Sequence, residues 1–265
     1  MKKKPDKEFL PMLISFGALV AFWKLLSVII GPGTVAPPEE VLSYFFSYPF
    51  GSERLAGLGI GGSGSIGPHI ISTVIRYLIG VSVGITVGVL LGLAMAYSKR
   101  LREFLEPPFE VLRTIPQMAL VPFFVMWIGP KPMAQILMIV FYSILMLVVN
   151  ILNAVDNIHP DTINFARTLG ANRKQVFTTV VVHAILPELT GGIRVVLAFS
   201  WGLEVVSELV GTSKGLGMVI QFLIPVLLSG GIIAIVLWIV SIALIFDAAF
   251  MRIARWMTRW MPEQY

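Results

Sequence analysis

Six stretches of about twenty mostly apolar residues run through this chain of 265 residues. A helix needs roughly 20 such residues to cross the hydrocarbon core of a bilayer. The chain is 56% hydrophobic and 13% charged, whereas soluble domains carry about 25% charged residues. We therefore predict an all-α, polytopic membrane protein and exclude a water-soluble domain. The predicted spans are residues 9–30, 70–97, 108–129, 133–155, 188–210 and 231–250, within a single domain of residues 1–265.

The first and third predicted spans have unusual features. Pro116 and Pro122 interrupt the third, and a helix interior tolerates Pro poorly. In membranes such breaks persist where neighbouring helices or a cavity satisfy the freed backbone groups. The first span follows Lys2, Lys3 and Lys4, as in a signal peptide, but its length and the lack of a small-residue cleavage pattern predict a retained anchor.

The Lys and Arg residues lie mainly on one side of the predicted spans. With the N-terminus in the cytoplasm, thirteen of the 20 fall inside, three fall outside and four lie within spans. This bias follows the positive-inside rule and predicts that both termini are cytoplasmic. The net charge of +5 thus indicates topology and not nucleic-acid binding. A basic, aromatic anchor on the inner leaflet is expected from Arg252, Arg255, Trp256, Arg259 and Trp260.

Several kinds of site are excluded or disfavoured. The chain has no Cys, and its His residues at 69, 159 and 183 are too scattered to suggest a zinc site. The glycine-rich segment 57–65 follows no strand and lacks a Gly-Lys-Ser/Thr ending, so a flexible connector is favoured over a phosphate-binding loop. No nucleotide-binding Gly-x-x-x-x-Gly-Lys-Ser/Thr and no hydrolase motif occurs in the chain, which disfavours an enzyme and an ATP site.

The predicted cytoplasmic segment 156–187 has the pattern of a helical hairpin. Residues 161–169 read as a helix with an acidic start, Gly170 ends it, and residues 172–177 begin a second helical stretch. Two helices joined at a Gly form a rigid αα-hairpin. Its apolar side chains either enter a partner's cleft or pack beneath the chain's own bundle. They belong to Phe165, Ala166, Leu169, Val176 and Phe177.

This segment resembles the coupling loop of permease subunits of bacterial ABC importers. The resemblance rests on ARTLGA at 166–171, Leu-Pro at 186–187 and Gly-Ile-Arg at 192–194. Further motifs are similar to the branch that imports nitrate, sulfonates such as taurine, bicarbonate, and thiamine- or riboflavin-related compounds. They are PPEEV at 37–41, LRTIPQMALVP at 112–122 and GLG at 215–217, and the resemblance covers roughly residues 35–260.

One departure concerns the Glu-Ala-Ala that names the loop, which is Asn-Phe-Ala at 164–166 in this chain. The resemblance implies a type I importer permease fold in the bacterial inner membrane. It also implies a homodimer, cytoplasmic ATPase subunits that bind the ATP, and an extracytoplasmic solute-binding protein, with no cofactor in this chain. The implied ATPase-coupling residues are Asn164, Phe165, Ala166, Leu169, Gly170, Arg173, Phe177, Leu186 and Pro187.

Charged side chains within the fifth span should face a cavity or a partner, because each costs several kcal/mol in lipid. Arg194, Trp201, Glu204 and Glu208 share an arc of about 80° on a helix. This stripe either lines the translocation pathway or pairs with neighbouring helices through Arg76 or Arg113. The predicted pathway residues are Gln117, Met118, Trp201, Glu204, Ser207 and Glu208, the first two because Pro-broken helices concentrate at solute routes.

The two carboxylates one helical turn apart repel each other, so we expect one to be protonated or matched by a cation. They are either neutralised structurally or favour a neutral or cationic heterocycle over an anionic solute. Asp247 is expected to pair with Arg252 near the inner end of the sixth span. An ion-coupled secondary transporter or channel is the main alternative function, since broken helices and intramembrane carboxylates suit ion coupling.

Overall fold

The computed structural model describes residues 6–257, and helices are its only regular secondary structure over that range. This confirms the all-α prediction. A 3₁₀ turn, Gln117–Leu120, precedes α6, and a π-helical stretch, Val176–Val181, joins α9 to α10. The helices are α1 Asp6–Ile30, α2 Pro38–Ser47, α3 Glu53–Gly57, α4 Gly67–Tyr97, α5 Lys99–Leu112, α6 Val121–Ile128, α7 Pro132–Asp156, α8 Pro160–Thr168, α9 Arg173–Gln175, α10 Val182–Gly211, α11 Leu216–Leu223 and α12 Ser229–Met257.

Five of the described helices are long and apolar enough to cross a membrane, and a bent pair supplies a sixth span if it is counted as one. The bent pair overlaps the third predicted span, residues 108–129, but it begins at Lys99. Lys99–Leu112 and Gln117–Ile128 meet at 85°, because Pro116 cannot continue the helix and disfavours helical backbone at Ile115. The fifth span also differs, since it runs over Arg173–Gly211 and not from residue 188.

The chain forms two compact units. The first contains the described residues up to Ile70 together with Met218–Ser241. In this unit the Trp23 indole donates to the carbonyl oxygen of Ala36 at 3.0 Å. Lys24, one of the cations within a predicted span, pairs with Glu39 of α2, and its ammonium group holds the pKa of the Glu39 carboxyl below the ordinary value.

The second unit contains Ile71–Gly217 and the described residues from Ile242 onward. Its central helix is α7, which is buried over 61% of its apolar stretch, against 33% for α4. The main core forms where α7 packs with α6 and α10. It contains Val121, Met138, Tyr142, Leu147, Ile151, Ala154, Ile185, Leu189, Val196 and Leu203.

A stripe of four glycines on α4 lets this helix approach α7 closely. Gly80, Gly84, Gly88 and Gly92 recur every fourth residue and so share one helix face. A Cβ atom at Gly80 would lie 2.8 Å from Ile139 Cβ. Small residues at such spacing permit close backbone packing between membrane helices. The spacing is visible in the sequence, but its partner helix is not.

We expect Gly84→Leu to destabilise the protein by roughly 1–3 kcal/mol, as overpacking typically does. Even a Cβ atom at this position would lie 2.5 Å from Ser143 Cβ, so α4 and α7 must separate. Thermal unfolding of the detergent-purified variant measures the loss. Gly17→Leu is the matched control, since a Cβ atom there meets nothing within 4 Å. Equal stability of the two variants would contradict the predicted packing constraint.

Candidate functional site

The first arm of the predicted hairpin is α8, and it ends at a glycine as expected. Gly170 has φ +87°, a left-handed conformation that glycine adopts without steric cost. The amide of Ala171 donates to the carbonyl oxygen of Ala166 at 3.1 Å, and that of Gly170 donates to Arg167 at 2.9 Å. This pair of bonds is a Schellman motif, which satisfies the last carbonyl groups of a helix. The turn is therefore fixed by local backbone geometry.

A capping box begins the second arm of the hairpin. The amide of Gln175 donates to Asn172 Oδ1 at 2.9 Å, and the amide of Asn172 donates to Gln175 Oε1 at 2.8 Å. Reciprocal bonds of this kind satisfy two backbone donors at a helix start. From there α9, the π-helical stretch and α10 follow without a break. The second arm is thus continuous with the fifth span.

The second arm is also attached to the end of α4. The Arg173 guanidinium donates to the carbonyl oxygen of Tyr97 at 2.5 Å and lies 5.0 Å from the centre of the Tyr97 ring. Phe177 meets the same ring edge-on at 5.0 Å. Leu186 packs against the main core, and Pro187 lines a small cleft between α7 and α10. Arg173 and Phe177 therefore attach the hairpin to the end of α4, whereas Leu186 and Pro187 belong to α10 beyond it.

Other predicted coupling residues face outward. Phe165 is 67% exposed and Leu169 is 73% exposed. Asn164 is exposed beside them, and Ala166 is partly covered. The apolar side chains of the second arm thus pack against the chain's own helices, whereas those at the tip do not. A cleft of about 410 Å³ lies next to this tip and is lined by Ala166, Leu169, Gly170, Ala171, Gln175, Thr179 and Val180.

An ion cluster that sequence analysis missed ties α5 to the end of α7. Arg102 donates to both oxygens of Asp156, at 2.8 Å and 2.6 Å, and to both oxygens of Glu106, at 2.8 Å and 2.9 Å. The spacing of Arg102 and Glu106 is a recognisable i,i+4 pair. Asp156 lies 54 residues away in the sequence, so no local pattern indicates its part in the cluster.

Arg76 of α4 binds both carboxyl groups of the stripe on α10. Its Nε donates to Glu204 Oε1 at 2.8 Å, and a second nitrogen contacts Glu208. Thr73 also donates to Glu208, at 2.6 Å. The Arg76 side chain is 4% exposed and both glutamates are fully buried. These bonds favour the alternative in which the two carboxylates pair with a neighbouring helix. The partner is Arg76, one of the two arginines that the sequence suggested.

The remaining predicted pathway residues of α10 are also buried. Trp201 stacks on Tyr77 with ring centres 4.0 Å apart, and Ser207 donates to the carbonyl oxygen of Glu204 at 2.7 Å. Gln117 and Met118 lie at the break between α5 and α6, where Met118 is 43% exposed. A direct contact of any of these residues with a solute stays a prediction.

Arg194, the remaining charged residue of the stripe on α10, forms an ion pair with α12. Arg194 donates to both oxygens of Asp247, at 2.7 Å and 2.8 Å, with both side chains partly exposed. The expected pairing of Asp247 with Arg252 is therefore wrong. Asp247 lies where α12 passes α10, and helix packing brings it to Arg194. Arg259 and Trp260 of the predicted tail anchor lie outside the described residues.

We expect Asp247→Arg to lower the thermal midpoint, because it places two cations together between membrane helices. The double variant Arg194→Asp with Asp247→Arg should restore most of the loss, since it re-forms the pair with the charges exchanged. Thermal unfolding in detergent measures both effects. Arg252→Gln is the control and should leave the midpoint unchanged. A double variant no more stable than Asp247→Arg alone would argue against the pair.

Comparison with known proteins identifies the family to which this chain belongs. The family described as "Binding-protein-dependent transport system inner membrane component" matches residues 84–260, which is more than half of the chain. The chain belongs to this family. It is thus a multi-pass inner-membrane permease of an ABC importer, and the resemblance to the nitrate, sulfonate and taurine branch is confirmed. The matched segment contains the hairpin and all of α10.

Individual relatives agree with the family. The permease is 26% identical to the taurine transport system permease protein TauC of Escherichia coli, over 92% of this chain and 87% of that protein. It is 26% identical to the nitrate import permease protein NrtB of Synechococcus elongatus, over 82% of this chain and 77% of that protein. An inward-facing structure of the MetNI methionine ABC transporter shares the fold. That match has a TM-score of 0.62 at 18% identity and covers 77% of this chain and 98% of the other.

Proposed function

We propose that two copies of this permease form the pathway of an importer for a small sulfonate- or nitrate-type anion or zwitterion. Cytoplasmic ATPase subunits would bind the hairpins, and an extracytoplasmic binding protein would deliver the solute. In this proposal the termini lie in the cytoplasm, as the distribution of Lys and Arg predicts. The observation that carries the proposal is the exposed apolar tip at Phe165 and Leu169.

The hairpin supports a mechanical role because it is rigid and continuous with a membrane helix. The Schellman motif and the capping box fix its turn. Arg173 and Phe177 attach it to the end of α4. When ATPase subunits close on ATP, the tip would move with them, and α10 would move with the hairpin. Displacement of one element against its neighbours is a common way to switch access across a membrane.

The choice of solute class follows from the burial of the two glutamates. If they lined the pathway, their negative charge would disfavour an anion. Both are covered and bound to Arg76, which supports a pathway that does not expose their charge to the solute. On the other face of α10 the Arg194 guanidinium is paired with Asp247, so that face adds no net negative charge either. The names of two relatives, a taurine and a nitrate permease, point to the same class of solute.

Reconstitution in liposomes tests the proposal. The permease, the ATPase subunits and the binding protein are combined, and uptake of labelled taurine, nitrate, bicarbonate and thiamine is measured. We expect uptake of an anion or zwitterion that requires ATP and the binding protein. Uptake driven by an ion gradient without the ATPase would overturn the importer and support the alternative, a secondary transporter. Preference for thiamine would overturn the solute class alone.

A further inference from the structure

The buried cluster at Arg76 contains more acidic than basic groups among the described residues. The Arg76 guanidinium binds Glu204 and Glu208. Its remaining hydrogen bonds go to neutral groups, the Ser72 hydroxyl at 3.3 Å and the carbonyl oxygen of Lys214 at 3.0 Å. If both glutamates were ionised, the cluster would bury a net negative charge between α4 and α10. Such a charge is costly within a membrane.

Glu208 has the hydrogen bonds of an ionised carboxylate. One of its oxygens accepts from Thr73 and from Arg76, and the other accepts from the amide of Gly217 at 2.6 Å. Three donors stabilise the charged form of a carboxyl group. Glu208 is therefore the member of the pair that balances the Arg76 charge.

Glu204 has a different environment. Its Oε1 accepts from Arg76, but its Oε2 is buried and accepts a hydrogen bond from no described group. The carboxyl groups of Glu204 and Glu208 both bind the one Arg76 guanidinium, which holds them side by side. Two ionised carboxylates in that position repel, whereas a carboxylic acid donates to a carboxylate in a strong, charge-assisted bond.

We propose that Glu204 binds a proton at neutral pH and that its Oε2 donates this proton to the Glu208 carboxylate. The proton supplies the missing hydrogen bond and leaves the cluster without net charge. The ligand of this site is thus a proton, held between two carboxyl groups one helical turn apart. The inference depends only on the contacts of α4 and α10 and not on the solute that the permease carries.

The neutral cluster holds the turn between α10 and α11. Besides the bond from Gly217 to Glu208, the amide of Leu216 donates to Thr73 Oγ1 at 3.0 Å. Gly215 has φ +141°, and a Cβ atom there would collide with Glu208 and Arg76. The turn therefore packs directly on the cluster. Because the proton is on Glu204 and not on Glu208, the Glu208 carboxylate keeps the hydrogen bonds that fix this turn.

Infrared difference spectroscopy of the purified permease at neutral pH detects the proton directly. A protonated carboxyl group absorbs in a carbonyl-stretching region separate from that of carboxylates, and its band shifts in D₂O. We expect this band in the wild type and not in Glu204→Gln. Glu110→Gln, which removes an exposed carboxylate paired with Arg113, is the control and should leave the band unchanged. Identical spectra of wild type and Glu204→Gln would overturn the proposal.

Thermal stability then shows which glutamate carries the proton. Gln at 204 keeps an acceptor for Arg76 and a donor for Glu208, so Glu204→Gln should unfold at the wild-type temperature. Glu208→Gln replaces the charged member and should unfold at a clearly lower temperature. The opposite order would place the proton on Glu208 and overturn the assignment. If the wild type were stable only in the presence of added Na⁺ or K⁺, a metal cation and not a proton would balance the charge of the cluster, and the proposal would be overturned.

Discussion

Replacing Arg76 by Met should destabilise the permease by roughly 3–5 kcal/mol, the usual cost of removing one partner of a buried ion pair. Met fills a similar volume but leaves the Glu208 carboxylate, which is fully buried, without its counter-charge. The amount of folded protein recovered from membranes should fall, and the thermal midpoint of the remainder should drop. Size-exclusion profiles and thermal unfolding in detergent measure both.

Two further variants separate loss of charge pairing from loss of an arginine. Arg113 forms an ion pair with Glu110, and both side chains are more than 40% exposed. Arg113→Met should therefore cost about 0–1 kcal/mol. Adding Glu208→Gln to Arg76→Met should recover part of the loss, because it removes the unpaired carboxylate. If Arg76→Met were as stable as Arg113→Met, the buried cluster would contribute little to the fold.

Leu169→Asp should reduce solute uptake at least tenfold without changing the stability of the permease. Leu169 is 73% exposed at the tip of the hairpin, so the folded chain loses almost no contacts. In the proposed complex this side chain is covered by the ATPase, where burial of a Leu contributes about 1.5–3 kcal/mol. An unpaired carboxylate at that position costs further free energy. Reconstituted uptake and co-purification of the ATPase subunits measure the effect.

Leu169→Met is the matched variant, because it keeps an apolar side chain of similar size. It should retain both ATPase binding and uptake. Phe177→Ala is a contrasting change on the second arm, where Phe177 packs on Tyr97, and it should lower stability. Normal uptake and normal ATPase binding by Leu169→Asp would show that the exposed tip is not the coupling surface.

The hairpin was predictable in some detail because its determinants are local. Gly170 ends the first arm, and the Asn172–Gln175 capping box begins the second. Each of these signals acts over three to five residues, so a single sequence contains them. The helical spans were predictable for a similar reason, since length and hydropathy alone decide whether a helix can cross a bilayer.

The sequence was least informative where one helix had to be placed against another. The third span is bent at Pro116, and the sequence marks the proline but not the 85° angle. Asp247 was assigned to Arg252 because both lie on one helix, yet it binds Arg194 on α10. For Glu204 and Glu208 the sequence left two alternatives open, and the structure shows both bound to Arg76 of α4, while their contact with a solute stays a prediction.

The sequence by itself determined that this chain is a helical membrane protein with a helical hairpin at 156–187, and its motifs indicated an importer permease. Those properties depend on composition, on periodicity and on short-range hydrogen bonds. Only the tertiary structure decided which face of α10 is buried and that Arg76 binds Glu204 across 128 residues of sequence. The physical reason is that such pairings depend on the rotation and separation of whole helices. The glycine stripe on α4 sets that separation only once α7 is in place.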